Sequence, residues 1–187
     1  KIPIFHMEAG NRSFDLNVPE EINRKIIDHI SDFNLVYTEN SRRHLLSEGL
    51  PHRRIYLTGS PMKEVLNHFS DKIEKSSILK TLSLKKSNFF VVSLHRQENV
   101  DNEENLKSII KILNCLGEEY DVPIIFSTHP RTKKNLSKLQ TNLKFNKNIN
   151  FHNPFGFFDY IELQKKAKCV ISDSGTISEE SGILKFP

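Results

Sequence analysis

Short apolar runs alternate with longer amphipathic stretches along most of the chain. Seven runs, nearly all followed by glycine, proline or polar residues, predict strands. They are residues 2–5, 35–37, 55–57, 89–94, 124–126, 149–152 and 169–171. Six stretches with apolar residues at helical spacing predict helices. They are residues 20–31, 41–48, 103–120, 132–140, 158–166 and 177–184.

This alternation predicts an α/β fold with mostly parallel sheets covered by helices. The pattern breaks after Thr58-Gly59-Ser60-Pro61, where a lysine- and serine-rich stretch, 71–88, precedes a fresh buried strand. We therefore place a domain junction near residue 70. Residues 1–70 are predicted to form the C-terminal part of one domain, and residues 71–187 the N-terminal and middle part of another. Because a strand begins almost at the first residue, we interpret the chain as an internal fragment with both domains incomplete.

The composition narrows the class of protein. No apolar run approaches the ~20 residues of a membrane span, and the two cysteines have no CxxC spacing, so we expect a cytoplasmic protein without membrane association. The net charge of +4 comes from scattered lysines that form no basic stripe with aromatics. This pattern indicates solvated helix faces and no nucleic-acid partner. No GxGxxG, GxxxxGK[ST] or HExxH motif occurs, so neither a cofactor nor a metal is predicted.

Charged residues are concentrated where the first predicted strand ends and the next helix begins. Glu8 follows the strand, and Glu20 opens the helix. In an open α/β sheet the strand ends form the ligand crevice, so the two acids mark a possible ligand site. A structural role is also open for Glu20, because Asn17 and Glu20 have the spacing of a capping box and Arg24 that of a helix-surface partner. Glu21 and Arg24 are better explained as support for the helix.

A second cluster, His95 to Asn99, directly follows the predicted strand 89–94. A histidine and an arginine at this position can meet a phosphate, and the imidazole of His95 can transfer a proton near neutral pH. The alternative is a surface loop before a helix that is capped by Asp101 with Glu104.

A third cluster is the small-residue turn Ser174-Gly175-Thr176 between a strand and the last predicted helix. Free backbone N–H groups at a helix start bind phosphate, and the glycine permits close approach. Glu179 and Glu180 could reach a ribose. The alternative is a capping box formed by Thr176 and Glu179, which leaves the turn itself unexplained.

These motifs together resemble, in the same order, those of the non-hydrolysing UDP-N-acetylglucosamine 2-epimerases. They are His6-Met7-Glu8-Ala9-Gly10, Pro19-Glu20-Glu21-Ile22-Asn23-Arg24, Thr58-Gly59-Ser60, His95-Arg96-Gln97-Glu98, and Asp173-Ser174-Gly175-Thr176 with Glu179-Glu180. Segments 8–15 and 59–66 are most similar to the UDP-N-acetyl-L-fucosamine synthase branch. Enzymes of that branch act on UDP-2-acetamido-2,6-dideoxy-L-talose in capsule or O-antigen synthesis, whereas the glucosamine enzymes usually have leucine in place of Asn11.

The resemblance implies two Rossmann-like domains closing over a UDP-N-acetyl sugar, as in GT-B glycosyltransferases, and a homodimer at full length. It also implies inversion at C2 by loss of the C2 proton, departure of UDP to leave a glycal-like intermediate, and re-addition of UDP. No cofactor takes part.

By family position, the predicted site divides into proton-transfer and UDP-binding residues. Glu8 and Glu20 would transfer protons, with His95 near the departing diphosphate. The remaining residues would hold phosphate (Ser174, Gly175, Thr176), ribose (Glu180) and the uracil side (Phe155, Tyr160). Because the family's glycine-rich loop, catalytic aspartate and arginine segment are missing, we expect the fragment alone to be inactive. A GT-B glycosyltransferase and a UDP-sugar-binding regulator stay open as alternatives.

Overall fold

Two parallel sheets organise the computed structural model, which describes residues 2–139 and 144–187. The first sheet has the order β1-β2-β3 and the second the order β6-β5-β4-β7. The strands are β1 (Phe5–Met7), β2 (Phe33–Val36), β3 (Ile55–Leu57), β4 (Phe90–Leu94), β5 (Ile124–Thr128), β6 (Ile149–His152) and β7 (Cys169–Ser172). The prediction of an α/β fold with parallel sheets is confirmed.

Helices separate most of the strands. The longer ones are α1 (Pro19–Ile30), α2 (Glu39–Ser47), α7 (Glu103–Tyr120), α8 (Pro130–Leu139), α9 (Phe157–Lys166) and α10 (Ile177–Leu184). The shorter ones are α3 (Met62–His68), α4 (Ser70–Glu74), α5 (Ile78–Thr81) and α6 (Gln97–Val100), together with a 3-10 turn at His52–Arg54. No helix in the two described ranges is long and apolar enough to cross a membrane.

The first strand lies further along the chain than the sequence predicts. Ile2 is 86% exposed, and the carbonyl of Ile4 accepts hydrogen bonds from the amides of Asp32 and Phe33, so pairing with β2 begins only at Phe5. The predicted break at 71–88 contains α4 and α5. The end of the predicted helix 132–140, Gln140, lies outside the described residues.

The chain divides into two compact units, Lys1–Glu64 and Val65–Pro187. The predicted junction near residue 70 lies downstream of this division, and the assignment of the units to two successive domains stays a prediction. In the second unit, β4 is buried on both faces, which explains its continuous apolar sequence. One face packs with α7 through Phe90, Val92, Leu106, Ile110 and Leu113. The other packs with α9 through Phe89, Val91, Leu163 and Ala167.

The strand order places a topological switch point in the second sheet. From β4 the chain passes outward through β5 and β6, and it then returns to pair β7 with the opposite edge of β4. Ser93 of β4 is in register with Ser172 of β7, so the segments that follow these strands start side by side. Crevices at such points, beyond the carboxyl ends of the strands, are where open α/β sheets bind ligands.

Candidate active site

Glu8 occupies a sharp turn directly after β1. Its φ of 64° lies in the left-handed region, which residues other than glycine rarely adopt. The next residue, Ala9, is fully buried and donates its amide to the carbonyl of Leu35 at 3.2 Å. Gly10 also has a positive φ, and a Cβ there would lie 2.3 Å from the carbonyl oxygen of Ser41. This close packing fixes the turn and leaves the side chain of Glu8 exposed.

The carboxylate of Glu8 is connected to the start of α2 through Asn11. The Asn11 side-chain amide donates to Glu8 Oε1 at 2.8 Å, and its oxygen accepts from Ser41 Oγ at 3.0 Å. Ser41 is itself held by the helix cap, because its amide donates to Thr38 Oγ1 at 3.1 Å. Asn11 therefore restrains the candidate proton-transfer group.

Asp28, a fully buried residue of α1, holds the turn after β1 in place through its carboxylate. Its Oδ1 lies 2.6 Å from His6 Nδ1, and its Oδ2 accepts from Arg12 Nη1 at 2.7 Å. The backbone amide of Gly10 donates to the same carboxylate at 3.2 Å. One carboxylate thus contacts β1, the turn and the segment after it.

Arg12 extends this network to Glu48. Arg12 Nε and Nη2 each donate to one carboxylate oxygen of Glu48 at 2.7 Å, and the arginine side chain is fully buried. Hydrogen bonding to Glu48 is the main reason that the pKa of Arg12 is raised. The same bonds lower the pKa of Glu48 to about 2, with a smaller contribution from His29. Both groups therefore stay charged at neutral pH.

Glu20 is exposed in the first turn of α1, and the capping box predicted for it is wrong. The helix is capped by Val18 without a side-chain hydrogen bond, because Asn17 instead donates its backbone and side-chain N–H groups to Asp15 Oδ1, each at 2.9 Å. Among the described residues no ion pair joins Glu20 to Arg24. The carboxylate of Glu20 therefore faces solvent.

Glu21, by contrast, is fully buried and structural. Its Oε2 accepts from the backbone amide and the hydroxyl of Ser13, at 2.7 and 3.1 Å. Burial acts to raise the pKa of Glu21, but the bonds from Ser13 and the charge of Lys25 hold it below its usual value. Glu21 therefore holds the segment between β1 and α1 against the helix, in agreement with the supporting role predicted for it.

In the second unit, His95 directly follows β4 and is held by Asp173, which directly follows β7. The backbone amides of His95 and Arg96 donate to the Asp173 carboxylate at 3.1 and 3.0 Å. Asn99 Nδ2 donates to the same group at 3.0 Å, and His95 Nδ1 lies 3.2 Å from Oδ1. The carboxylate is 8% exposed and the imidazole 48% exposed. The two strand ends at the switch point are thus joined by one side chain.

Asp101, the residue predicted to cap the helix after His95, lies one position before the observed cap. Asn102, not Asp101, accepts the amides of Glu104 and Asn105, at 2.9 and 3.1 Å. Asp101 instead ends α6, which separates the His95 segment from α7. His95 is therefore placed by Asp173 and not by the α7 cap.

The turn Ser174-Gly175-Thr176 lies beside His95 on the same strand ends. The Ser174 amide donates to Ser172 Oγ at 3.1 Å, and the hydroxyls of Ser174 and Thr176 are 3.1 Å apart. A Cβ built on Gly175 would meet nothing within 4 Å, so the outer side of the turn is open to a ligand. Thr176 makes no capping bond, so its predicted capping box with Glu179 is wrong.

Thr176 instead donates its hydroxyl to Glu180 Oε1 at 2.8 Å, across one turn of α10. The second carboxylate oxygen accepts from Gln164 Nε2, also at 2.8 Å, and Gln164 is fully buried. Glu180 itself is 9% exposed. Its carboxylate is therefore fixed between α9 and the turn.

The two aromatic candidates lie on either side of the start of α9. Burial raises the pKa of Tyr160, the negative charge of Glu180 adds to this, and hydrogen bonding with Ser93 and Ser172 acts against it. Tyr160 therefore lies beside the ends of β4 and β7, within range of the charge of Glu180. The ring of Phe155 is half-buried and lies 5.4 Å from that of His152 at the end of β6.

A sequence profile of the UDP-N-acetylglucosamine 2-epimerase family matches residues 1–187, the whole chain. The chain belongs to this family. It is 41% identical over 192 residues to the UDP-N-acetylglucosamine 2-epimerase of Methanocaldococcus jannaschii, with 100% of the chain and 52% of that protein covered. It is 30% identical to the UDP-2,3-diacetamido-2,3-dideoxy-D-glucuronate 2-epimerase of Pseudomonas aeruginosa, with coverage of 100% and 51%. The chain thus spans about half the length of these relatives, whose names are those of isomerases.

Solved structures of the family agree with the fold. The UDP-N-acetylglucosamine 2-epimerase of Rickettsia bellii is 51% identical, with a TM-score of 0.86, and the match covers 100% of this chain and 49% of that one. The Methanocaldococcus jannaschii enzyme in complex with UDP-GlcNAc and UDP is 41% identical, with a TM-score of 0.90 and coverage of 100% and 52%. The GT-B-like relationship predicted from the motifs is therefore confirmed.

Within this family fold, the predicted site residues fall into two groups. Glu8 and Glu20 lie in the first unit, and among the described residues no hydrogen bond joins them. The second unit holds the UDP-binding candidates together with His95. The motif comparison gave no role to Asp28, Glu48 or Gln164, each of which fixes a neighbouring part of the site. The structural role of Asp28 could have been found from its position seven residues after Glu21, because this spacing puts the two acids on one face of the helix.

Proposed function

We propose that this chain supplies part of a UDP-N-acetyl sugar 2-epimerase, which inverts C2 by elimination and re-addition of UDP. The observation that carries the proposal is the junction of β4 and β7. There Asp173 holds His95 beside the open turn Ser174-Gly175-Thr176, at the switch point of a parallel sheet. Membership of the epimerase family supports the same reaction.

The second unit is proposed to bind UDP. Backbone N–H groups at the start of α10 would bind phosphate, and Gly175 leaves room for its approach. Glu180 would accept a hydrogen bond from the ribose. Each of its oxygens already accepts one bond, but a carboxylate has about four acceptor positions, so capacity is left. Tyr160 and Phe155 would line the uracil side.

The first unit is proposed to supply the proton-transfer groups. The C2 hydrogen is not adjacent to a carbonyl, so it becomes acidic only as the C1–oxygen bond breaks and positive charge develops at C1. Inversion then needs proton transfer on two faces, which two carboxylates serve better than one. Glu8 and Glu20 fit this requirement, because both are exposed and neither caps a helix. In the second unit, His95 would stabilise the departing diphosphate.

The finer proposal concerns the sugar. The segments 8–15 and 59–66 favour UDP-2-acetamido-2,6-dideoxy-L-talose, which would give UDP-N-acetyl-L-fucosamine. Within the first segment Asn11 contacts Glu8 directly, so the residue that resembles this branch acts on a candidate proton-transfer group. A second candidate is UDP-N-acetylglucosamine, which is favoured by the names of the relatives. We also propose a cytoplasmic homodimer that serves capsule or O-antigen synthesis.

A product assay tests these proposals. The full-length protein would be incubated separately with each sugar nucleotide, and NMR would follow inversion at C2. A higher kcat/KM for the L-talose substrate supports the finer proposal, and a higher value for UDP-N-acetylglucosamine supports the second candidate. If neither sugar is epimerised while UDP still binds, the epimerase proposal is wrong and a transferase or regulator is favoured.

A further inference from the structure

Among the described residues, the hydrogen-bond partners of the Asp173 carboxylate are three N–H donor groups and one ring nitrogen that can become a donor. Oδ2 accepts from the amides of His95 and Arg96 and from Asn99 Nδ2, at 3.0 to 3.1 Å. Oδ1 faces the His95 amide at 3.1 Å and the ring nitrogen Nδ1 at 3.2 Å. Such an environment requires a carboxylate, because both of its oxygens must accept.

These contacts cross from one strand end to the other. Asp173 lies 78 positions from His95 in sequence, and the two meet because β4 and β7 are in register up to Ser93 and Ser172. The amide of Asp173 also lies 3.4 Å from the carbonyl of Ser93, so the two chain segments are linked in both directions. The segment that bears His95 is therefore attached directly to the segment that bears the phosphate-binding turn.

We propose that Asp173 is the positioning residue for His95. It fixes the backbone at His95 and Arg96, and it holds the ring so that Nδ1 carries its hydrogen toward the carboxylate and Nε2 faces the ligand, with which it can exchange a proton. This inference rests on the proposed function for its catalytic consequence, although the ring geometry can be measured without turnover.

Substitution by asparagine separates this role from simple loss of bulk. An asparagine side chain has nearly the same shape, but one acceptor oxygen becomes an NH₂ donor. In either orientation the new NH₂ group would face the donating amide of His95. At the Oδ2 position it would also face the Arg96 amide and Asn99 Nδ2, and at the Oδ1 position it would require the ring nitrogen Nδ1 to accept. The His95 segment should then shift. The bonds that shape the turn, from the Ser174 amide to Ser172 Oγ and between the hydroxyls of Ser174 and Thr176, do not use the Asp173 carboxylate.

The test uses the full-length protein with Asp173→Asn, Asp173→Ala and the matched control Glu118→Gln. Glu118 is an exposed acid of α7 that belongs to none of the site segments, so its loss removes an equal charge away from His95. We expect kcat of both Asp173 variants to fall about 10- to 100-fold, as for a displaced catalytic group, with the Kd for UDP changed by less than about threefold. The control should keep wild-type kcat and Kd.

A second measurement reads the ring itself. With ¹⁵N-labelled histidine, and His95→Gln to assign the signal, the neutral wild-type ring should show the hydrogen on Nδ1. Asp173→Ala should restore the Nε2–H form that predominates in free histidine. Asn99→Ala, which removes one donor and leaves the carboxylate, should keep the wild-type ring form.

The inference is overturned if the Asp173 variants keep wild-type kcat, or if His95 has the same ring form with and without the carboxylate. It is also overturned if kcat falls only in step with UDP affinity. If the wild type epimerises no UDP-sugar, the proposed function fails, and the ring measurement alone then decides the role of Asp173.

Discussion

Replacing Arg12 by methionine tests whether the buried charge network holds the first unit together. Methionine keeps much of the apolar length but removes every donor. Arg12 makes three hydrogen bonds of 2.7 Å to two carboxylates, Asp28 and Glu48, and its side chain is fully buried. Among the described residues, its loss leaves the buried carboxylate of Asp28 with the His6 ring and the Gly10 amide as its remaining partners.

Two estimates give the size of the effect. Removing one member of a buried ion pair costs about 3 to 5 kcal/mol, and we expect the lower end because Glu48 is 24% exposed. The second estimate comes from pH. The pKa of Glu48 is lowered from 4.5 to about 2, so its stabilising contribution is complete above pH 4.5 and is lost as the pH falls toward 2. Between pH 7 and pH 3 this loss is on the order of 1 to 2 kcal/mol after allowance for solvent screening.

Native-state hydrogen exchange is the suitable assay, because it measures the free energy of opening of α1 and β2 separately from the second unit. Wild type, Arg12→Met and the control Arg53→Met would be compared from pH 7 to pH 3. Arg53 is exposed in the 3-10 turn, so its substitution should change the free energy by less than about 0.5 kcal/mol.

The expected result is a loss near 3 kcal/mol at pH 7 in Arg12→Met, and a difference from wild type that narrows toward pH 3. A loss below about 1 kcal/mol, or pH curves that run parallel, would refute the interpretation that the Arg12 pairs stabilise this unit.

Two further substitutions test single residues. Glu20→Gln should lower turnover of the full-length protein by a factor of about 100 or more and leave UDP affinity unchanged. The control Glu39→Gln, which changes another exposed acid, should keep wild-type turnover. Equal turnover in both variants would remove Glu20 from the mechanism. Gly10→Ala should lower Tm and cost about 2 kcal/mol or more of folding free energy, because its Cβ would lie 2.3 Å from the carbonyl oxygen of Ser41. The control Gly175→Ala, where a Cβ meets nothing within 4 Å, should leave Tm unchanged. A similar Tm for both variants would contradict the described packing.

The second sheet could be predicted from the sequence because its central strands, β4 and β5, are buried on both faces. The run from Phe89 to Leu94 is continuous and apolar, and such runs between helices leave few other choices. The short helices α4, α5 and α6 were not predicted, because four or five residues are too few to show a helical period.

The spacing of apolar residues does not predict which polar residues of the site are buried. In α1 the buried residues are Glu21 and Asp28, whereas Ile22, Ile26 and Ile30 are 47, 53 and 61% exposed. An inward face inferred from the isoleucines would therefore be the wrong one. The partners of the Asp28 carboxylate, His6, Gly10 and Arg12, lie 16 to 22 positions before it, and their approach to α1 is a property of the fold, not of the helix sequence.

The sequence predicts the site motifs at the ends of strands, but it does not predict which residues hold those motifs in place. Asp173 belongs to a motif that the sequence marks clearly, yet its contacts with His95 depend on the adjacency of β4 and β7. Local capping rules predicted capping boxes of Asn17 with Glu20 and of Thr176 with Glu179, whereas Asn17 bonds to Asp15 and Thr176 bonds to Glu180.

Inversion at C2 through proton exchange is tested most directly by incubation of the full-length protein with UDP-sugar in heavy water. No acceptor would be added, and NMR would detect deuterium at C2 of the product and of the recovered substrate. Deuterium is expected at C2 in both pools. Binding of UDP-sugar by an intact protein with no deuterium at C2 would contradict this mechanism.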